Sequence, residues 1–387
     1  RLIMSTLKVD AIRHNSATSD AITTAADGTC TAKLTSIGGG GLSHRNISTN
    51  GACLIAQRGT SSTTYGYGSV DRFATYYYGH NEAPTHSQVD VASGTTPYSL
   101  GFRKALRVTN GNQTGGAGAA QFMQIQHKFE AQDIANSGWN YTSASSFITV
   151  QFWVKASVAQ TYYIYLRSYD GTQQRYYFPI SLSANTWTKV TKTIPGNSNL
   201  QFDNDENQGF HINWGIWYGT DYTASGLSAE TWAAYASGTR VPDMTSTWWT
   251  TNDATFEITG VQLEVGDTAT TFEHRSFADE LTRCSRYCQV WGRGYCIANA
   301  VGSSDLNIGV PLTTPLRATP SATSVLGMHR SGNKNASCTF HSAQYTANTN
   351  IVEIRMGNWT GGSAVTDEVE YAVTPVSPQT MIIDAEI

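Results

Sequence analysis

Phe147-Ile148-Thr149-Val150-Gln151-Phe152-Trp153-Val154-Lys155 alternates apolar and polar side chains. A period of two sends successive side chains to opposite faces of a pleated strand, so the segment reads as a strand with one face in a core. Tyr162-Tyr163-Ile164-Tyr165-Leu166-Arg167 follows as a second strand, closed by an Asp170-Gly171 turn. Further strands are expected at Lys104 to Thr109, Trp187 to Ile194, Phe210 to Trp217 and Thr255 to Glu264. Short antiparallel strands at this spacing, separated by Gly, Asn, Asp and Pro, predict an all-β fold whose main body, residues 45–275, is a β-sandwich.

Outward from this body the pattern changes. Ser276 precedes Phe277-Ala278-Asp279-Glu280-Leu281-Thr282-Arg283-Cys284-Ser285-Arg286-Tyr287-Cys288. A capping hydroxyl, acidic residues in the first turn and an apolar stripe of Phe277, Leu281, Cys284 and Cys288 predict a short connecting helix over 276–289. Residues 290–387 return to strand patterning, as in Ile308-Gly309-Val310-Pro311-Leu312 and Ile351-Val352-Glu353-Ile354-Arg355-Met356. They are expected to form a second, smaller C-terminal β-sandwich. Residues 1–44 hold Leu7 to Ile12, Ala21-Ile22-Thr23, an Asp27-Gly28 turn and Cys30 to Leu34, then Gly38-Gly39-Gly40-Gly41 as a linker. These strands are too few to bury a core alone, so they suit either a flexible arm or pairing with copies of the chain.

Composition narrows the function classes. Charged residues make up 14% of the 387, well below the roughly one quarter usual for soluble domains, and the net charge is -4. Nucleic-acid affinity needs clustered Lys and Arg, so nucleic acid is not an expected partner. No segment has the length and apolarity of a membrane-spanning helix, and the secretory signal pattern is missing, so neither membrane insertion nor export by a signal peptide is expected. The six cysteines include no CxxC pair and read as free, mostly buried thiols. No Gly-x-Ser-x-Gly elbow, phosphate loop or His-Glu-x-x-His sequence occurs, and the chain is read as no enzyme.

Three passages carry a resemblance. Asn46-Ile47-Ser48-Thr49-Asn50-Gly51-Ala52, with Ala56-Gln57-Arg58-Gly59 and Val70-Asp71-Arg72-Phe73, resembles the opening of a jelly-roll domain of phage tail-fibre and other virion proteins. A related Asn-Gly opening begins many carbohydrate-binding jelly rolls. Ile258-Thr259-Gly260-Val261-Gln262-Leu263-Glu264-Val265-Gly266 and Phe272-Glu273-His274-Arg275-Ser276 are similar to the segment that closes this domain, and Leu7 to Ser16 resembles the start of marine-phage tail-fibre proteins. The resemblance implies a virion location on the phage tail or capsid surface, assembly in the host cytoplasm, a jelly-roll body and a homotrimer among other virion proteins. It supplies no catalytic residues.

Candidate sites follow from side-chain chemistry. Aromatic faces stack on sugar rings while amides and carboxylates bind hydroxyls, so the aromatic-rich body invites a glycan site. Any single aromatic reads first as core or interface. Tyr76, Tyr77 and Tyr78 beside His80, and Trp248 and Trp249 read as a loop, are the favoured positions, because neighbours on a strand point to opposite faces. The candidate glycan residues are Tyr76, Tyr78, Trp217, Tyr218, Trp248 and Trp249. No cofactor is expected beyond a structural calcium ion. Asp203 and Asp205 are its candidate ligands, from their alternating hard oxygens, as is Glu264, since the related jelly rolls hold an ion near the domain's start and finish. The sequence thus predicts a trimeric tail-fibre or tail-associated subunit touching host-surface polysaccharide. The alternatives are a capsid decoration or head-fibre protein without a receptor and a polysaccharide depolymerase.

Overall fold

A computed structural model describes residues 9–13, 15, 18–26, 30–32, 45–291, 296–301, 305–323, 326–330, 333–346, 349–360, 370–373 and 381–387. The Leu7-Lys8 pair, the Asp27-Gly28 turn and the Gly38–Gly41 run lie outside these residues. The fold is all-β and antiparallel. An N-terminal sheet joins β1 (Ala11–Ile12), β2 (Ile22–Thr24) and β3 (Cys30–Ala32).

Two six-stranded sheets make the body. The first runs β4 (Ser61–Ser62), β6 (Thr85–Asp90), β7 (Lys104–Thr109), β15 (Thr255–Val265), β9 (Phe147–Ala156), β12 (Thr188–Pro195). The second runs β5 (Phe73–Tyr78), β8 (Phe122–Glu130), β13 (Gln208–Tyr218), β10 (Gln160–Ser168), β11 (Gln174–Leu182), β14 (Ala233–Ala234). The alternation in β9 places Ile148, Val150, Phe152, Val154 and Ala156 in the core, and that in β10 places Tyr162, Ile164 and Leu166 there. Trp214 of β13 is fully buried, 5.5 Å from the Phe152 ring of the facing sheet and 6.1 Å from Phe73. Such aromatic contacts contribute roughly 0.5–1.5 kcal/mol each beyond their burial.

The residues quoted for the opening and closing segments meet at one seam. Asn46 donates through Nδ2 to the Val261 carbonyl (3.1 Å), and its Oδ1 accepts from the amides of Ser48 (2.9 Å) and Leu263 (3.1 Å). Asn50 holds a left-handed backbone (φ 60°) while its Nδ2 donates to the carbonyls of Ile55 and Asp71, both at 2.8 Å. Arg275 donates to the carbonyls of Ser48 (3.0 Å) and Asn46. Gly51 lies so close to β15 that a Cβ there would sit 2.0 Å from the Val261 oxygen.

The connecting helix (Phe277–Ser285) starts where expected, with Ser276 Oγ accepting from the Asp279 amide at 3.1 Å. It ends one turn early. Cys288 begins β16 (Cys288–Trp291), which pairs with β24 (Met381–Asp384), and β24 pairs in turn with β19 (Ser321–Thr323). Hydrogen bonding to a strand from the far end of the chain therefore overrides the helical pattern. The remaining strands, expected as a second sandwich, instead close into a six-stranded barrel: β17 (Cys296–Val301), β18 (Asp305–Pro311), β22 (Ile351–Thr360), β21 (Asn333–Tyr345), β20 (Leu326–Arg330), β23 (Glu370–Val373). Among the described residues, closure gives every strand of this barrel a neighbour on both sides.

Buried ion pairs fasten β24 to the sandwich. Arg58 pairs with Asp384 (2.8 Å) and Glu386 (3.4 Å), while Arg72 pairs with Glu386 and lies 3.4 Å from the Tyr287 ring centre. Burial disfavours the charge on both arginines, and the carboxylates around them more than offset it. Arg286 makes a two-pronged contact with Glu130, both bonds 2.7 Å. Cys53, Cys284 and Cys288 are free and buried.

Two outcomes test this architecture. Gly51→Ala should lower unfolding free energy by at least about 2 kcal/mol in a denaturant titration, because backbone rather than a flexible side chain must give way. Stability should also fall as pH drops below 6.5. Burial holds the His127 imidazole down at about 3, helped by Arg72, and depresses His86, His211 and His274 as well. These rings stay neutral in the fold but protonate at about 6.5 when unfolded, so the unfolded chain binds more protons on acidification. Asp71 and Asp133, pushed up by burial to about 6, act in the opposite sense between about 6 and 3.8 but are fewer. The melting temperature should decline from pH 6.5 toward pH 4, and His127→Gln should flatten the decline; a melting temperature that rises over this range contradicts the assignment.

Candidate functional site

The outward face of the second sheet is set by the inward one. With Phe73, Met123, Ile125, Phe210, Ile212, Trp214, Ile164, Leu166, Tyr176 and Phe178 in the core, the residues between them face away from it. Strand pairing then arranges these in rows. Tyr78 lies opposite Phe122, and Phe122 opposite Tyr218. Their rings stack in turn, with centres 6.5 and 6.4 Å apart and planes 21° and 28° from parallel. The next rows bring in Tyr76 opposite Gln124, then Gln126 opposite Asn213 and Asn213 opposite Tyr165.

Around the exposed end of the aromatic row, Tyr65, Tyr77, Tyr78, His80, Phe122 and Tyr222 line an open pocket of about 470 Å³. Tyr78 is 59% exposed and Tyr65 57%. Tyr65 packs edge-on against Tyr76 at 4.9 Å, and Tyr222 edge-on against Phe122 at 5.2 Å. The Arg240 guanidinium lies 4.4 Å from the Tyr222 ring centre. Below the ring surface, the Tyr218 hydroxyl donates to Gln124 Oε1 at 2.5 Å. Burial raises the phenols of Tyr65 and Tyr76 further above their ordinary value. The arrangement offers flat apolar faces beside uncharged tyrosine hydroxyls, the chemistry that suits a sugar ring, while the amides of Gln124, Gln126 and Asn213 are buried.

Of the six sequence-derived glycan candidates, Tyr76 and Tyr78 share this face, with Tyr76 half-buried and Tyr78 exposed. Tyr77, between them, turns inward and donates to the Thr63 carbonyl. Trp217, Trp248 and Trp249 are corrected to core residues. A bulge in β13 between Gly215 and Trp217 lets Ile216 and Trp217 both enter the core and turns Tyr218 outward beside Phe122. Trp248 and Trp249 lie not on an open loop but on a single-turn helix (Thr247–Thr250) that sends both rings into the sandwich core. Trp249 stacks on Trp217 at 4.8 Å and donates to the Gly116 carbonyl, and Trp248 donates to the Thr255 carbonyl. Tyr218 is buried under the 219–246 segment, so it supports the aromatic row from beneath. Tyr65, Phe122 and Tyr222 escaped the sequence reading, because Phe122 reaches Tyr78 only through the pairing of β8 with β5, and Tyr65 and Tyr222 arrive from irregular segments folded over that pair.

The calcium candidates do not converge. Glu264 is fully buried and its carboxylate is occupied by Thr270 (amide 2.8 Å, hydroxyl 2.6 Å), Gln262 Nε2 (2.9 Å) and Arg45 (3.4 Å). Asp205 accepts from Asn207, and Asp203 from Gln201 Nε2. Among the described residues, no group of three or more His, Cys, Asp or Glu side chains is placed to hold a metal. Buried carboxylates elsewhere are held by cations: Glu257 by Arg107 (2.8 Å) and Lys155 (2.9 Å), Asp71 by Arg58 (3.6 Å).

No family model matches the sequence, and no curated protein does. Solved structures similar to the chain include the enzymatically active domain of tailspike protein 4 from bacteriophage CBA120, at 9% identity and TM-score 0.31, covering 60% of this chain and 24% of that one. A putative sugar-binding protein from Bacteroides thetaiotaomicron matches at 10% identity and TM-score 0.28, over 57% of this chain and 100% of that one. The N-terminal cellulose-binding domain of β-1,4-glucanase C from Cellulomonas fimi matches at 13% identity and TM-score 0.26, over 56% and 99%.

Proposed function

We propose that the chain is a non-catalytic, glycan-contacting structural subunit of a bacteriophage particle, a trimeric tail fibre or tail-associated protein. One observation carries the glycan reading: the stacked row of Tyr78, Phe122 and Tyr218 ends in an exposed, tyrosine-lined pocket. An exposed aromatic patch of this kind needs a ligand or partner to account for it. The phage setting is supported by the resemblance that Asn46 to Ala52, Ile258 to Gly266 and Leu7 to Ser16 carry. In this fold the first two of these segments meet at one seam, where Asn46 bonds to Val261 and Leu263.

Each pocket alone would bind weakly, and three in one assembly would gain avidity through effective concentration. Affinity electrophoresis of the full chain through host-surface polysaccharide should retard it. Tyr78→Ala should weaken binding about tenfold, the scale of one lost aromatic stack, with the melting temperature unchanged because Tyr78 is a surface side chain. Free migration of the unaltered chain would overturn the glycan reading, and shortened polysaccharide after incubation would overturn the non-catalytic one. Light scattering should give three times the 42.0 kDa chain mass; a monomeric mass contradicts the trimer.

A further inference from the structure

The aromatic pocket is a corner rather than a flat platform. Its floor is Tyr78, 59% exposed on β5, with Phe122 of β8 opposite it and their ring planes 21° from parallel. Tyr222 meets Phe122 with ring centres 5.2 Å apart and planes at 81°. The Tyr222 ring therefore stands close to upright against the floor. It is held there from its own backbone and from behind: the Tyr222 amide donates to the Gly219 carbonyl and its carbonyl accepts from the Arg240 amide, both at 3.0 Å, while the Arg240 guanidinium lies 4.4 Å from the ring centre. On the other flank Tyr65 packs edge-on to Tyr76 and Tyr77, at 61° and 73°, and His80 stands at 85° to Tyr77. The six side chains that line the pocket are thus all rings, and none is a carboxylate, guanidinium or ammonium group.

That shape selects among sugars. A hexose carries C–H groups on two faces that are parallel to each other, and its hydroxyls lie around the rim. When one face stacks on Tyr78, the rim turns toward the upright rings. A rim hydroxyl laid against a ring gives up water without gaining a comparable partner, which is unfavourable. A methyl group at the same place on the rim removes that loss and adds apolar contact. Sugars carry a methyl group on the rim in two common ways, as the sixth carbon of a 6-deoxy sugar or at the end of an N-acetyl group. The phenol hydroxyls of Tyr65, Tyr78 and Tyr222 can each donate and accept, and they serve the hydroxyls on the rest of the rim.

We propose that the aromatic pocket takes a methyl-bearing sugar, 6-deoxy or N-acetylated, with its ring face on Tyr78 and its methyl group against Tyr222. The inference rests on the glycan reading and narrows it to a class of substituent. The volume of about 470 Å³ accommodates the substituent as well as the ring.

An array of glucose and galactose glycosides, each in its parent, 6-deoxy and N-acetylamino form on one linker, tests this with the full chain. At least one methyl-bearing form should bind at least about fivefold above its parent, the scale of one buried methyl and one spared hydroxyl. The form that gains separates the two sources of the methyl. Tyr222→Ala should bring that ratio toward one, whereas Tyr222→Phe, which retains the ring, should keep it. Should the alanine variant fail to fold, the comparison within the unaltered chain still decides. A smaller gain for both methyl-bearing forms, or no binding to either, overturns the methyl assignment. The glycan reading falls with it only if the unaltered chain also migrates freely through host-surface polysaccharide.

Discussion

The packing of Trp214 between Phe73 and the facing sheet's Phe152 fixes the register of the whole outward surface. Side chains alternate along a strand, so committing Trp214 to the core commits Asn213 and Gly215 to the opposite face, and pairing carries that choice to the neighbouring strands. A one-residue slip of β13 would exchange His211 and Asn213 for Ile212 and Trp214. Thus the apolar interior does more than stabilise: it determines which polar and aromatic groups are presented together. The bulge at Gly215 to Trp217 is the local exception, and it adds one more ring to the core without disturbing the row that Tyr218 joins.

The second constraint is closure. Residues near both ends of the body meet at Asn46, Asn50, Gly51 and Arg275, where side chains satisfy backbone groups that irregular segments leave unpaired. Beyond the seam, Arg58 pairs with the half-buried Asp384, and Arg58 and Arg72 hold the buried carboxylate of Glu386. Removing one partner of such a pair is costly because a buried charge remains. Here the pairs dock β24, which in turn recruits Cys288 into a strand, so one set of charges bears on both where the connecting helix ends and how the C-terminal strands attach.

Much of this was legible in the sequence where local rules govern. The alternation in Phe147 to Lys155 and Tyr162 to Arg167, the capping role of Ser276 and the outward direction of Tyr76 and Tyr78 each depend on a few adjacent residues. What was not legible depends on distant ones. Trp217 entered the core through a bulge, and Trp248 and Trp249 through a single helical turn that seals the sandwich end. The outlying strands closed into a barrel, which periodicity alone does not distinguish from a sandwich. The aromatic row joins residues 78, 122 and 218, whose adjacency exists only once β5, β8 and β13 are paired in order.

The central claim is that the outward face of the second sheet is the ligand-binding surface. Hydroxyl-radical footprinting of the full chain, with and without a bound glycan, tests it directly. Protection should concentrate on Tyr65, Tyr78, Phe122 and Tyr222, with His80 at the margin. Protection confined instead to Trp153, Phe272 and His274, which line a smaller pocket on the opposite sheet, would contradict the account.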